Sequence, residues 1–197
     1  VTNSIEALLA EVRACTACAT HLPLGPRPIL HISSTARILI ASQAPGTKVH
    51  HAGLSFWDAS GDRLRTWLAM EKPVFYDATR VAILPMGMCY PGRLPNGGDA
   101  PPRPECAPLW RRRILAAMPA LRLTLLVGSY AQAAEARGQG WPAASMTDRV
   151  RDFRRHLPRF FPLPHPSWRT GIWEQKNPWF TAEVLPALRE AVAEALA

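Results

Sequence analysis

The segment from Leu121 to Val127 reads LRLTLLV and stops at Gly128. A run this apolar suits a strand buried on both faces, in the middle of a parallel sheet. Such a sheet needs helices on both sides, so short strands should alternate with helices along the rest of the chain. Arg37 to Ser42 (RILIAS), Val81 to Leu84 and Phe160 to Leu163 read as three more strands. Asn3 and Glu6 have capping-box spacing and open a helix running to about Arg13. Ser60 caps a helix to about Met70, with Leu64, Trp67 and Leu68 on one face. Cys106 to Met118 and Tyr130 to Arg137 read as helices, and Arg149 to His156 as a basic helical turn or two. Asn177-Pro178 starts a last helix, which Pro186 kinks or interrupts. Pro85 to Pro104 is too rich in Pro and Gly for regular structure. The expectation is one domain over 1–197, a three-layer α/β/α unit around a four-stranded parallel sheet.

In such sheets ligands bind beyond the carboxyl ends of the strands. Two unusual loops lie there, Gln43-Ala44-Pro45-Gly46 after the first strand and His165-Pro166-Ser167-Trp168-Arg169 after the last. Both are expected in one crevice. The chain has 197 residues, 48% of them hydrophobic, which is ample for a core and argues against disorder. No apolar run approaches the roughly 18 residues of a membrane span. Positive charge dominates, with 23 Lys+Arg against 15 Asp+Glu and a net charge of +8. Only Lys48, Lys72 and Lys176 are lysines. Arginine-rich surfaces suit phosphate, so nucleic acid is the natural partner; a GC-rich genome explains the same composition equally well.

The motifs narrow this. Ser42-Gln43-Ala44-Pro45-Gly46 resembles the first motif of the uracil-DNA glycosylase superfamily, nearest the Gly-Glu-Ala-Pro-Gly of its iron–sulfur family 4. His165-Pro166-Ser167-Trp168-Arg169 is similar to the second motif, His-Pro-Ser-Pro plus a basic or polar residue. Leu126 to Ala131 resembles the strand–Gly–helix junction between them, and Gly61 and Leu64 fit the helix after the first motif. The resemblance spans roughly Cys15 to Arg169.

It implies a monofunctional glycosylase that flips uracil out of DNA, cleaves its N-glycosidic bond with water and leaves an abasic site. Phe56 would stack on the extruded base, although a plain core role is the commoner fate of an aromatic. His165 would donate to uracil O2 as negative charge builds there. Ala44, Pro45 and Gly46 would line the pocket. Ser167, Trp168 and Arg169 would enter the minor groove, with Trp168 as the wedge; the competing reading packs Trp168 on Trp173 or Trp179. Apart from the resemblance, Lys48 and the basic set Arg149, Arg151, Arg154, Arg155 and Arg159 could meet phosphates, with Arg111 to Arg113 as a second set, although charge runs are more often just solvated faces. The expected partner is single- or double-stranded DNA, uracil-containing or abasic. The expected protein is a monomer acting at the nucleoid of a bacterial cytoplasm, with no membrane association.

Cys15 and Cys18 form a C-x2-C pair, and sixteen residues separate Cys89 from Cys106. Family 4 carries a similar pattern on a 4Fe–4S cluster, and four thiolates are the required ligand count. Free thiols and structural zinc are the alternatives, in that order. A cluster would clamp the N-terminal helix to the loop after the second strand, whose Arg93 and Arg103 could then face DNA.

Three departures from the family matter. Gln43 stands where family 4 has an acid, so it can orient water but not act as a base. Asp58 is the nearest carboxylate, with a helix N-cap as its other reading, and His50 and His51 are further candidates. Pro85 stands where family 4 reads uracil with Asn, which shifts base selectivity to the backbone of Met86 and Gly87 or to Asn96. Thr47 to Ser55 also lacks the usual Gln-Gly-Arg-Pro run. These departures admit rival functions: a uracil- or abasic-site-binding protein with little turnover, a glycosylase for another deaminated base, or, more remotely, a small-molecule nucleotide enzyme.

Overall fold

The structure, a computed structural model, describes residues 5–95 and 97–197. Asn3 and Asn96 lie outside the described residues. Helix α1 (Ile5–Arg13) buries Leu8 and Val12, one turn apart. Strand β1 (Ile38–Ala41) is followed by α2 (Thr47–Ala52), α3 (Ala59–Leu68), α4 (Lys72–Phe75) and β2 (Val81–Ile83). Then come α5 (Cys106–Ala116), β3 (Leu123–Val127), α6 (Ser129–Gln139), α7 (Met146–Arg151) and β4 (Phe160–Leu163). The chain ends with α8 (Thr170–Lys176) and α9 (Leu185–Leu196).

The four strands form one parallel sheet in the order β2-β1-β3-β4. Every strand residue is buried, as a sheet covered on both faces requires. Side chains alternate between the two helical layers. Ile38, Ile40, Ile83, Leu125 and Phe161 pack with Leu64 and Trp67 of α3 and Leu188 of α9. Leu39, Ala82 and Leu84 pack with Leu8 of α1 and Trp110 and Ile114 of α5. Ala41 and Leu126 meet Ala131 of α6. This is the expected three-layer α/β/α arrangement.

The chain leaves β1 for one side of the sheet and returns across it to β3, so the strand order reverses between β1 and β3. That reversal opens a crevice at the carboxyl ends. Gly128 ends β3 at φ +87°, a left-handed conformation that suits glycine.

Three details differ from the sequence expectations. Asp58 rather than Ser60 caps α3, the other reading given for Asp58: its carboxylate accepts from the Gly61 N–H at 2.9 Å. Helices α2, α4 and α8 were not expected. The last helical segment begins as a π-turn, Phe180–Val184, and becomes α-helical at Leu185. Pro186 lies in the first turn of α9 and has no N–H to continue the preceding ladder. No helix among the described residues is long and apolar enough to cross a membrane.

Candidate active site

The extensions of β1 and β2 stay paired beyond the strands. The Met86 N–H donates to Ser42 O at 2.8 Å and the Gly87 N–H to Gln43 O at 3.0 Å. This pairing corrects one expectation: both N–H groups are consumed within the fold and cannot read a base. Neither residue lines the cleft. Pro85 does, and it offers a carbonyl alone.

An open cleft lies at the strand ends. Ser42, Ala44, Pro45 and Gly46 line it from the β1 loop, and Phe56 and Asp58 from the entry to α3. Pro85, Asp99 and His165 complete the wall. The two motif loops therefore do meet in one crevice.

Phe56 is 8% exposed and adopts φ +58°, strained for a bulky residue. Its surroundings hold it there. The Tyr76 hydroxyl donates to Phe56 O at 3.0 Å, and Arg65 Nη1 donates to the same hydroxyl at 3.1 Å. Arg65 is itself buried, ion-paired to Asp62 and 5.3 Å from the Phe75 ring centroid. Phe75 meets Phe56 edge-on at 6.1 Å. The sequence showed no sign of this Arg65–Tyr76 brace, because Arg65 lies in α3 and Tyr76 just beyond α4.

His165 lies two residues beyond the end of β4. Its carbonyl accepts from the Ser167 N–H at 2.8 Å and from the Thr170 hydroxyl, which folds the loop tightly. A Cβ on Gly128 would lie 3.3 Å from His165 Cβ, so the β3 turn backs the imidazole closely. Burial holds the His165 pKa below the ordinary value, against the opposing pull of Asp58 and Asp99. The ring is therefore neutral at pH 7 and suited to donate a hydrogen bond. Gln132 secures this end of the sheet. Fully buried, it donates through Nε2 to Leu163 O at 2.9 Å and to Leu126 O at 3.4 Å.

Trp168 is 74% exposed, with the Arg169 guanidinium 5.2 Å from its ring centroid. Trp173 and Trp179 pack on each other, with ring centroids 5.6 Å apart, so the alternative packing of Trp168 is overturned. Ser167 is half-buried, and Lys48 is exposed on α2.

Gln43 is turned elsewhere. It is absent from the cleft wall, and its amide donates to Ala100 O at 3.4 Å. That contact ties down the loop carrying Asp99, a cleft carboxylate the sequence reading passed over. The only local sign was the turn-forming Gly97-Gly98 before it. His50 is buried beside Tyr90 and His51 is exposed; neither lines the cleft.

All four cysteines line a second, narrow pocket beside α5, together with Trp110 and Arg103. Two donors point at sulfur: Trp110 Nε1 lies 3.3 Å from Cys15 Sγ and the Met88 N–H 3.4 Å from Cys106 Sγ. Burial raises the Cys106 thiol to about 11 and raises Cys18 and Cys89 too. Among the described residues no group of three His, Cys, Asp or Glu side chains converges on a single-ion position.

Much of the positive charge is used internally. Arg103 pairs with Glu105 at 2.6 Å, Arg113 with Glu11 at 2.7 Å and Arg111 with Glu135 at 4.0 Å. Arg151, Arg154 and Arg159 lie over the rings of Trp179, Phe153 and Phe160. Arg155 pairs with Asp152 at 4.0 Å. Arg93 is exposed and donates to Gly97 O at 3.2 Å.

A family model described as the uracil DNA glycosylase superfamily matches residues 31–189. Among solved structures, the chain is similar to a solution NMR structure from Methanosarcina acetivorans, of a protein provisionally described as a uracil DNA glycosylase. The two share 15% identity and a TM-score of 0.47, over 84% of this chain and 97% of that one.

Proposed function

Because the chain belongs to the uracil DNA glycosylase superfamily, we propose that it is a monofunctional DNA glycosylase that removes uracil from DNA and leaves an abasic site. The observation carrying this reading is the meeting of Phe56, Pro85 and His165 in one cleft at the sheet's strand-order reversal. A flipped uracil stacks on Phe56. The Pro85 carbonyl accepts from uracil N3–H. Neutral His165 donates to O2 as the C1′–N1 bond breaks and charge passes into the base. No lysine lies in either motif loop, so no imine-forming lyase step is assigned. Trp168 fills the gap in the duplex, with Arg169 at a phosphate.

The four cysteines would hold a 4Fe–4S cluster. Their shared cavity and the two N–H donors aimed at sulfur support this, since such bonds accompany cluster thiolates. A single zinc ion needs tighter convergence of its ligands. When bound, the cluster acts structurally, joining the segment after α1 to the loop after β2 and to α5.

The test is cleavage of labelled single- and double-stranded oligonucleotides with one uracil, followed by hot alkali, with enzyme below and above substrate. Alkali-dependent cleavage is expected. His165→Ala and Phe56→Ala should lower the single-turnover rate at least about 100-fold with DNA binding retained. Full activity in both variants would remove them from the site. Tight, salt-sensitive binding without cleavage would favour the uracil- or abasic-site-binding alternative, and cleavage only at hypoxanthine or xanthine would redirect the specificity.

A further inference from the structure

The first motif contributes no acid to the cleft, since Gln43 is bonded to Ala100 and Ala44 has no functional group. Two carboxylates do line it, Asp58 and Asp99. They differ in what else they do. Asp58 is committed as the N-cap of α3. Asp99 receives no hydrogen bond or ion pair on its carboxylate among the described residues.

The position of Asp99 is built rather than incidental. Its strand-like pairing with Arg93 closes a short hairpin. The Leu94 N–H donates to Gly98 O at 2.7 Å across that turn, and the Ala100 N–H to Gly92 O at 2.9 Å. The Gln43 amide then anchors the far side through Ala100 O. The carboxylate lies directly beside the first motif: a Cβ on Gly46 would meet Asp99 Oδ2 at 3.6 Å, an ordinary contact distance. The carboxylate thus overhangs the first motif loop, and its charge is felt by His165 across the cleft.

Resting on the glycosylase reading, we propose that Asp99 holds and deprotonates the attacking water, replacing the carboxylate missing from the first motif. The C1′–N1 bond breaks with its electron pair passing to the uracil ring. The water oxygen bonds to C1′, its proton passes to Asp99, and Asp99 returns that proton to solvent. Before the water attacks, the same negative charge stabilises the cationic sugar.

The experiment compares wild type, Asp99→Asn, Asp99→Glu and Asp58→Asn. Single-turnover cleavage of uracil DNA is the first readout. Asp99→Asn should lose about 100-fold or more, with melting temperature and DNA affinity near wild type, and Asp99→Glu should recover part of the loss. A second readout needs no turnover. DNA with a pyrrolidine nucleotide, which mimics the cationic sugar, should bind wild type at least about 10-fold more tightly than DNA with neutral tetrahydrofuran. Asp99→Asn should lose that preference, and Asp58→Asn should keep it. Near-wild-type cleavage or an intact pyrrolidine preference in Asp99→Asn would overturn the proposal. If wild type cleaves no uracil DNA, the glycosylase reading fails by itself; loss of the preference in Asp99→Asn would still support the placement of Asp99, and its persistence would refute it.

Discussion

A side chain on Gly61 would collide with the backbone of Phe56: a Cβ there would lie 1.7 Å from the Phe56 carbonyl oxygen. The first turn of α3 thus sits directly against the residue proposed to stack on uracil. The same carbonyl accepts from the Tyr76 hydroxyl, so Phe56 is held in its left-handed conformation from two sides.

Gly61→Ala should therefore be costly although it adds one methyl group. The clash is with backbone, which cannot rotate away, and a loss of about 3 kcal/mol is expected. Tyr76→Phe removes one donor and should cost about 1 kcal/mol. Both should slow uracil release more than they weaken DNA binding. Thermal melts paired with single-turnover rates check this, and a wild-type melt for Gly61→Ala would contradict the packing.

Stability should fall as pH drops through the histidine range. Burial lowers the pKa of His31, His50, His156 and His165, reinforced by Arg13 at His31, Arg27 at His50 and Arg149 at His156. In the unfolded chain these groups take up protons near the ordinary value of about 6.5, while the folded protein still resists. The unfolded state then binds more protons, so stability declines as pH falls from about 6.5 toward the folded values. The depressed carboxylates Asp77, Glu105 and Asp148 act only at more acid pH. The melting temperature at pH 5.5 should be at least about 3 °C below that at pH 7.5. His156→Gln, outside the cleft, should flatten the profile; an unchanged slope would mean that His156 is not held neutral.

Protein purified anaerobically should be brown and contain about four irons per chain. Cys106→Ser should lose colour and iron and melt at a lower temperature. Trp110→Phe removes the donor to Cys15 and should leave the iron bound while shifting the reduction potential. Colourless, iron-free wild-type protein would leave free thiols as the correct reading.

Trp168→Ala should not change the melting temperature, because the indole lies mostly in solvent. It should weaken binding to duplex uracil DNA about 10-fold and affect single-stranded DNA far less, since only the duplex has a gap to fill. Equal losses on both substrates would instead make Trp168 a general stacking surface.

The layered fold could be read from the chain because strands buried on both faces need near-continuous apolar runs. Leu123–Val127 and Ile38–Ala41 have such runs, and all four strands appear within a residue or two of the expected places. A parallel arrangement then puts every strand's carboxyl end on one side, so the loops at 42–46 and 165–169 emerge on the same side; the strand order β2-β1-β3-β4 and the path of each loop bring them into one cleft. The short helices were less visible. Helix α2 has six residues and α4 has four, too few for a period to emerge.

Local sequence thus determined the strands, the layers and the side of the sheet on which both motif loops emerge, because burial periodicity and chain direction are properties of short segments. Tertiary structure alone decided which polar groups remain free in that crevice. The Met86 and Gly87 N–H groups are spent on the β1 extension and the Gln43 Nε2 on Ala100, while Asp99 is left facing the cleft; the Asp58 cap on α3 is local and was legible in the sequence. Each outcome is a competition for hydrogen-bond partners, several of them far apart in the chain, and that competition is settled only once the sheet has registered and the loop from Gly92 to Ala100 has closed over it.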